Sequence, residues 1–226
     1  MLETTVVPRL TLTFDNGPTP GATERILDIL QQRNLRATFF VIGQNLRGAA
    51  GRRLAERAKA EGHWIGNHTL THTEPLGNRH DAAYAEREIG EAEELLGTLT
   101  HRDKLFRPPG RGKLGRHLLS RAAVEYLAAH AYTLVTWNNV PRDWIEPRRE
   151  WVARALQTMA RQDWSLLVLH DFALATMLDT LTDFLDRAQT SDIEIVQEIP
   201  PSCIPMRRGQ ILAPLDDLTT ANGETL

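Results

Sequence analysis

RLTLTFDNGP, residues 9–18, joins a short apolar segment to an abrupt polar turn. The run at residues 10–14 predicts a buried strand, and the Asn-Gly pair that follows predicts a turn, because both residues tolerate positive φ. A turn does not explain why an acid, Asp15, directly follows the strand. The segment therefore raises a chemical question, whether the amide of Asn16 stands where a second carboxylate would serve better.

The alternation of apolar segments and helical patterns continues along the chain. Further strands are predicted at residues 37–42, 63–67, 104–107, 132–137, 165–170 and 193–197. Helices are predicted at residues 20–32, 81–99, 115–130, 150–161 and 173–188, the first with Thr19 as its N-cap. Strands that alternate with helices pair in parallel through right-handed crossovers. Seven strands are compatible with an open doubly wound sheet or with a barrel related to the (β/α)₈ type.

The composition is that of an ordinary globular protein. Of the 226 residues, 42% are hydrophobic and 24% are charged, which excludes disordered and fibrous classes. No Gly/Ser-rich or Pro-rich linker divides the chain, so we predict one domain over residues 1–226. Its motif-bearing core is expected at about residues 9–199, and the aperiodic stretch at about residues 203–226 is expected to be a tail that lies on the surface or frays.

Charge and hydropathy exclude several kinds of partner. The net charge of −3 gives no electrostatic reason to expect nucleic acid or an anionic membrane. No apolar run approaches the roughly 20 residues of a membrane span, and the first residues lack the features of a signal peptide, so we expect a cytoplasmic protein. The single cysteine, Cys203, excludes an internal disulfide framework. Nothing in the sequence predicts an oligomeric state.

Functional groups in parallel α/β folds lie just beyond the carboxyl ends of the strands. Polar residues stand at four such ends: Asp15 and Asn16 after the first strand, His68 after the third, Arg107 at the end of the fourth and His170 at the end of the sixth. These ends are where the chemistry of the protein is expected.

HTLTH, residues 68–72, places two imidazoles four residues apart. On a helical turn this spacing brings both rings to one face, where they can bind one cation. Because the chain has eight histidines, the pair is also compatible with one core histidine and one exposed histidine. The spacing alone leaves both interpretations open.

Three further segments carry groups suited to chemistry. RPPGRG, residues 107–112, is a loop whose glycines allow a ligand close to the backbone, although alone it favours a strand-exit turn. WNNVPRDW, residues 137–144, offers aromatic walls and Asp143 as an orienting acid, although tryptophans are more often core residues. LLVLHD, residues 166–171, is a buried strand that ends in a titratable pair, which makes His170 a candidate general acid or base.

Taken in order, these segments resemble the five successive motifs of the polysaccharide deacetylases. The matching segments are TFDNGP (13–18), HTLTH (68–72), FRPPG (106–110), the run that ends at residues 143–144, and LLVLHD (166–171). Order and spacing agree over about residues 9–199. The resemblance implies an α/β fold, a single-domain distorted (β/α)₇ barrel, and metal-assisted hydrolysis that removes an N-acetyl group from an amino-sugar oligosaccharide.

The resemblance implies Asp15 as the catalytic base, paired with Arg107, and His170 as the catalytic acid, tuned by Asp143. The residue types suit these roles independently. A carboxylate kept ionised by a neighbouring arginine can accept a proton, and an imidazole held by a carboxylate can donate one to a leaving amine.

The resemblance also implies that His68 and His72 hold a divalent cation, usually zinc. The third ligand of the family is normally an aspartate, and Asn16 stands at its position here. A backbone N–H at Gly110, where the family usually has tyrosine, would help to hold the oxyanion. Substrate contacts are implied for Pro109, Gly110 and Trp144.

Asn16 leaves three hypotheses open, because an amide oxygen is a poorer zinc ligand than a carboxylate. The protein is a metal-dependent deacetylase with a weakened site, a metal-independent hydrolase of another small amide or ureide, as in allantoinase-like relatives, or a saccharide-binding protein without activity. Since glycine follows Asn16, deamidation through a succinimide would restore the usual aspartate. In each case the expected partner is a small molecule or an oligosaccharide.

Overall fold

The computed structural model describes residues 7–221 as a curved sheet surrounded by helices. The strands are β1 (Arg9–Asp15), β2 (Thr38–Val41), β3 (Trp64–Asn67), β4 (Leu105–Phe106), β5 (Leu119–Ser120), β6 (Thr133–Leu134), β7 (Trp164–His170), β8 (Glu194–Val196), β9 (Met206–Arg207), β10 (Gln210–Ile211) and β11 (Thr219–Thr220). The helices are α1 (Thr23–Gln32), α2 (Ala49–Ala60), α3 (Ala82–Ala85), α4 (Ala92–Leu96), α5 (Arg121–Ala129), α6 (Trp151–Met159), α7 (Asp171–Leu174) and α8 (Leu178–Thr190), with a π-helical segment at Glu86–Glu91 between α3 and α4.

The main sheet is a distorted barrel. Its strands lie in the order β10-β9-β6-β4-β3-β2-β1-β7, and β8 also pairs with β1. The pairs from β6 to β7 in this order are parallel, whereas β9 and β10 pair in antiparallel fashion. One bridge, between Asn139 and Leu167, joins the segment after β6 to β7 and closes the curve. The predicted distorted (β/α)₇ barrel is confirmed, and the seven predicted strands correspond to β1–β4 and β6–β8.

Alternation along β1 decides which of its side chains reach the barrel interior. Leu10, Leu12 and Phe14 are buried in the core formed with α1 and α8. The intervening Thr13 donates a hydrogen bond to the Leu167 carbonyl of β7 at 2.7 Å, so it lies on the opposite face. With the period of two, Asp15 falls on the same interior face as Thr13. The strand therefore presents the acid to the inside of the barrel.

Several helix predictions need correction. The predicted helix at residues 115–130 begins only at Arg121, where the Ser120 hydroxyl caps it by accepting from the Ala123 N–H at 3.2 Å. The pattern at residues 81–99 is interrupted by the π-helical segment. Thr19 is not an N-cap, because α1 begins at Thr23 without a side-chain cap. Helix α2 was not predicted at all, since its apolar residues are alanines with a single leucine and form only a weak hydrophobic pattern.

The predicted tail at residues 203–226 is also corrected for the part that the structure describes. β9 pairs with β6, and Cys203, Met206 and Leu215 are buried against the second core group, which lies around β4 and β6. Short strands of two residues each hold this segment in place. Because they are too short to show a periodic pattern, the sequence did not predict them. Residues 222–226 lie outside the described residues, and the single-domain organisation of residues 1–226 stays a prediction. Within residues 7–221, no helix is long and apolar enough to cross a membrane.

Candidate active site

The five sequence segments meet at one cleft of about 330 Å³ at the carboxyl ends of the barrel strands. Its lining includes Asp15, Asn16, His68, His72, Trp144 and His170. The structure thus brings together residues that are more than 150 positions apart in the sequence. Arg107 and Asp143 lie behind this surface and hold residues that line it.

Asp15 and Arg107 form a buried ion pair. The guanidinium Nη1 of Arg107 donates to Asp15 Oδ1 at 2.8 Å and to the Thr13 hydroxyl at 2.8 Å. Arg107 is fully buried and stacks over the ring of Phe40, with its Cζ 4.0 Å from the ring centroid. Burial lowers the pKa of Arg107, and the charge of Asp15 opposes this shift. The pair fixes the orientation of the Asp15 carboxylate and leaves Oδ2 facing His68 at 3.7 Å.

His68 and His72 come together, but not on a helical turn as predicted. The loop that carries them is irregular, with Thr69 and His72 in the left-handed region at φ of 66° and 54°. The two ring centroids lie 4.7 Å apart. His68 Nδ1–H donates to the Arg107 carbonyl at 2.7 Å, which leaves Nε2 available as a ligand. Burial lowers the pKa of both imidazoles to about 3, so both are neutral at ordinary pH.

Glu88 holds the loop at residues 68–72 through hydrogen bonds, and the sequence analysis did not identify it. Its carboxylate is buried in the π-helical segment and accepts hydrogen bonds from the Thr71 N–H at 3.0 Å and from the Thr71 hydroxyl. Its carbonyl accepts from the Leu70 N–H at 2.7 Å. A buried glutamate at a π-helical insertion is typical of a functional constraint, but only its burial distinguishes it from the other acids of this helix.

Replacing Glu88 by alanine is expected to lower the free energy of unfolding by about 1–3 kcal/mol, because the Thr71 N–H loses its acceptor. Urea unfolding of the metal-free protein measures this loss. Glu91→Ala serves as the matched control, since Glu91 is exposed on the same π-helical segment. Equal, small losses for both variants would show that Glu88 does not support the loop.

Asn16 completes the group beside the two imidazoles. It lies in the left-handed region at φ of 72°, as the predicted turn requires. The Asn45 side-chain amide donates to its carbonyl at 2.9 Å and so holds the turn in place. Asn16 Oδ1 is buried and accepts no hydrogen bond within the described residues. An orphaned buried oxygen costs free energy unless a ligand satisfies it.

The residues present fit a divalent cation. Among residues 7–221, no three His, Cys, Asp or Glu side chains are grouped so that they could hold a metal ion. The donor set consists instead of two neutral imidazoles and the orphaned amide oxygen of Asn16, from three residues that all line the cleft. Imidazole suits zinc and an amide oxygen is an acceptable, weaker ligand. The set is therefore neutral, and the Asp15 carboxylate lies beside it, with Oδ2 3.7 Å from His68 Nε2.

His170 and Asp143 form the second charged pair. Asp143 is fully buried, and its two oxygens accept from the His170 N–H at 2.8 Å and from Nδ1 at 2.9 Å. Burial lowers the pKa of His170, but the charge and hydrogen bond of Asp143 outweigh it, so the net pKa is raised. Trp144 packs edge-on against the imidazole, with centroids 4.6 Å apart. This arrangement favours the protonated imidazole, with Nε2 left as the donor.

The loop after Arg107 differs in part from the predicted substrate contacts. Gly110 lines the cleft, whereas Pro109 is buried and Pro108 takes its place in the lining. A Cβ on Gly110 would lie 2.3 Å from Cη2 of Trp137. The indole of Trp137 therefore fills the space that a side chain at position 110, such as the tyrosine usual in the resemblance, would occupy. Sequence reasoning also missed Phe172, which lines the cleft and is 48% exposed.

Proteins similar to this chain include several carbohydrate deacetylases. Residues 3–135 match the family model described as Polysaccharide deacetylase. The chain is 34% identical over 160 residues to a chitooligosaccharide deacetylase of Rhizobium leguminosarum bv. trifolii, covering 71% of this chain and 70% of that one. It is 32% identical over 162 residues to a peptidoglycan-N-acetylglucosamine deacetylase of Bacillus cereus, covering 72% of each.

A solved structure agrees with these sequence matches. The structure of T48 deacetylase with substrate superposes with a TM-score of 0.68 at 26% identity, covering 84% of this chain and 88% of that one. The chain belongs to the polysaccharide deacetylase family.

Proposed function

We propose that this protein hydrolyses the N-acetyl group of an amino-sugar oligosaccharide with the help of a divalent cation. The observation that carries the proposal is that two charged pairs, Asp15–Arg107 and Asp143–His170, meet beside two neutral imidazoles at one cleft. The relatives are named for deacetylation of chitooligosaccharides and of peptidoglycan N-acetylglucosamine, which supports the substrate class.

Each pair has one task in the reaction. Asp15 accepts the proton of the attacking water, while Arg107 orients its carboxylate through the hydrogen bond at 2.8 Å. His170 donates a proton to the nitrogen when the carbon–nitrogen bond breaks, and Asp143 fixes the tautomer that makes this possible. The products are acetate and a free amino sugar. Gly110 offers its backbone N–H to the developing oxyanion.

His68, His72 and Asn16 would hold the cation, and Asn16 stands where the family has aspartate. A set of two imidazoles and one carbonyl oxygen fits zinc best among common divalent ions. When bound, such a cation polarises the amide carbonyl and acidifies water. The neutral donor set predicts weaker binding than a set with a carboxylate.

Acetate release from N-acetylglucosamine oligomers tests the proposal. We expect release that depends on added zinc and disappears after exhaustive chelation. Activity that survives chelation, or that occurs only on ureides, would assign the protein to the metal-independent hydrolases. Saccharide binding without any turnover would make it a binding protein.

Replacing Asn16 by aspartate is expected to tighten zinc binding by about 10–100-fold and to raise acetate release at limiting zinc, because an anionic ligand replaces a neutral one. Competition with a chromophoric chelator measures the zinc affinity. Asn34→Asp is the matched control, since Asn34 also has positive φ, at 51°, but is exposed outside the cleft.

Equal zinc affinity in the wild type and Asn16→Asp would contradict the assignment of Asn16 as a ligand. Intact-protein and peptide mass measurements of the wild type accompany the titration. A wild type already converted to aspartate at position 16 would establish the deamidation hypothesis, whereas an unmodified, zinc-loaded and active wild type would exclude it.

A further inference from the structure

Asp171 directly follows His170, yet its carboxylate is no part of the cleft surface. It is fully buried, and it does not line the cleft. Its Oδ2 accepts a hydrogen bond from the Thr23 hydroxyl at the start of α1. That hydroxyl in turn accepts from the Thr19 N–H at 2.7 Å. A chain of hydrogen bonds thus runs from the end of β7 to the turn after β1.

Gly17 makes a second contact with the same carboxylate. A Cβ added to Gly17 would lie 2.2 Å from Asp171 Oδ2, so another residue fits there only if the turn or the Asp171 side chain shifts. Among the described glycines, those with positive φ are Gly21, Gly62, Gly97, Gly112 and Gly209. Gly17 is therefore required by close approach to Asp171 and not by its backbone conformation.

The turn is held from its other side by the segment after β2. The Ile42 N–H donates to the Gly17 carbonyl at 3.1 Å, and Asn45 donates to the Asn16 carbonyl. Between these contacts, Asn16 is kept at a positive φ, a conformation that persists in a non-glycine residue only when its surroundings fix it. The direction of the Asn16 side chain depends on this conformation.

We propose that Asp171, through Thr23 and through its contact with Gly17, is a positioning residue that fixes the Asn16 amide at the cation site. Residues that hydrogen-bond to a metal ligand orient it, and mutating them typically lowers metal affinity by about 10–100-fold. A neutral amide gains little Coulomb energy from a cation, so its contribution depends strongly on being held in place. The consequence for zinc rests on the proposed function, whereas the consequence for the turn does not.

Thr23→Val tests this inference, because it keeps the shape of the side chain and removes both hydrogen bonds. Thr23→Ser restores the hydroxyl. Thr158→Val is the matched control, since the Thr158 hydroxyl donates only to the Arg154 carbonyl of its own helix, α6. For each variant we would measure hydrogen–deuterium exchange of the peptide at residues 14–22 without metal, and the zinc dissociation constant by chelator competition.

In Thr23→Val, exchange at residues 14–22 is expected to accelerate about 10–100-fold, roughly tenfold for each of the two hydrogen bonds lost. The zinc dissociation constant is expected to rise about 10–100-fold. Thr23→Ser should restore both quantities, and Thr158→Val should change neither. A wild type that binds no zinc, but whose turn is loosened in Thr23→Val and restored in Thr23→Ser, would support the positioning role and overturn the metal-dependent part of the proposed function.

Four results would overturn the inference. They are unchanged exchange at residues 14–22, an unchanged zinc dissociation constant despite faster exchange, equal loosening by Thr23→Ser, and an acceleration that extends equally to α6. The last result would mean that Thr23 contributes only to global stability.

Discussion

Replacing His170 by glutamine is expected to lower kcat for acetate release by about 10²–10⁴-fold, the range of general acid catalysis. The imidazole lies at the cleft with Nδ1 fixed by Asp143, so its Nε2 is left to donate this proton. The zinc dissociation constant should stay near that of the wild type, because His170 is not in the ligand set. Steady-state kinetics and chelator competition measure the two quantities separately.

The role of His170 as an acid also predicts the direction in which the rate of acetate release changes with pH. His170 must be protonated to act as an acid, and Asp143 raises its pKa. The rate therefore persists above the ordinary pKa of histidine and falls as pH rises through the raised pKa. In Asp143→Asn the charge that raises the pKa is gone, so the decline should move to lower pH.

His101→Gln is the control for His170→Gln, since His101 is half-buried against Trp64 and does not line the cleft. A His170→Gln variant with kcat within about threefold of the wild type, well below the range for acid catalysis, would remove His170 from the role of acid. A pH profile unchanged by Asp143→Asn would remove Asp143 from the role of tuning it.

Replacing Arg107 by methionine is expected to lower the free energy of unfolding by about 3–5 kcal/mol, because it leaves the Asp15 carboxylate buried without its partner. The pair is 2.8 Å apart, with side-chain exposures of 0% and 6%. Urea unfolding of the metal-free protein measures the loss. The double variant Asp15→Asn/Arg107→Met should recover part of it, since both charges are then absent.

Arg187→Met supplies the comparison with an exposed pair. Arg187 and Asp183 are 3.0 Å apart, nearly as close as the buried pair, but both are about half exposed. Its removal should cost at most about 1 kcal/mol. Similar losses for Arg107→Met and Arg187→Met would show that Asp15 is solvated in the native protein. The buried pair would then contribute less to the free energy of unfolding than expected.

The sequence was sufficient to predict the strands of the barrel and the residues at their carboxyl ends. Apolar runs such as residues 10–14 carry their own signature, and parallel pairing then brings their ends together. It was not sufficient for the geometry of residues 68–72. Two left-handed residues bring the imidazoles together there, and positive φ in threonine and histidine leaves no pattern in a sequence.

The residues that support the site were beyond sequence reasoning for a different reason. Glu88, Asn45 and Asp171 act through contacts with loops that are distant in the chain or across a turn, and their residue types are common on surfaces. The sequence shows only that residue 110 is glycine, but the indole that fills the space beside it comes from residue 137. Such contacts become visible only when burial and hydrogen-bond partners are known.

The closure of the barrel has a consequence for how durable the site is. Between the segment after β6 and strand β7 the ladder has a single bridge, at Asn139 and Leu167. The two hydrogen bonds that Asp143 accepts from the backbone N–H and the ring of His170 cross the same seam a few residues further on. The hydrogen bonds between the proposed acid and its partner thus also help to close the barrel. The backbone bonds of Asn139 hold the same seam, so the barrel should stay closed when one bond of the Asp143–His170 pair is lost, whereas opening of the seam would also displace the proposed acid.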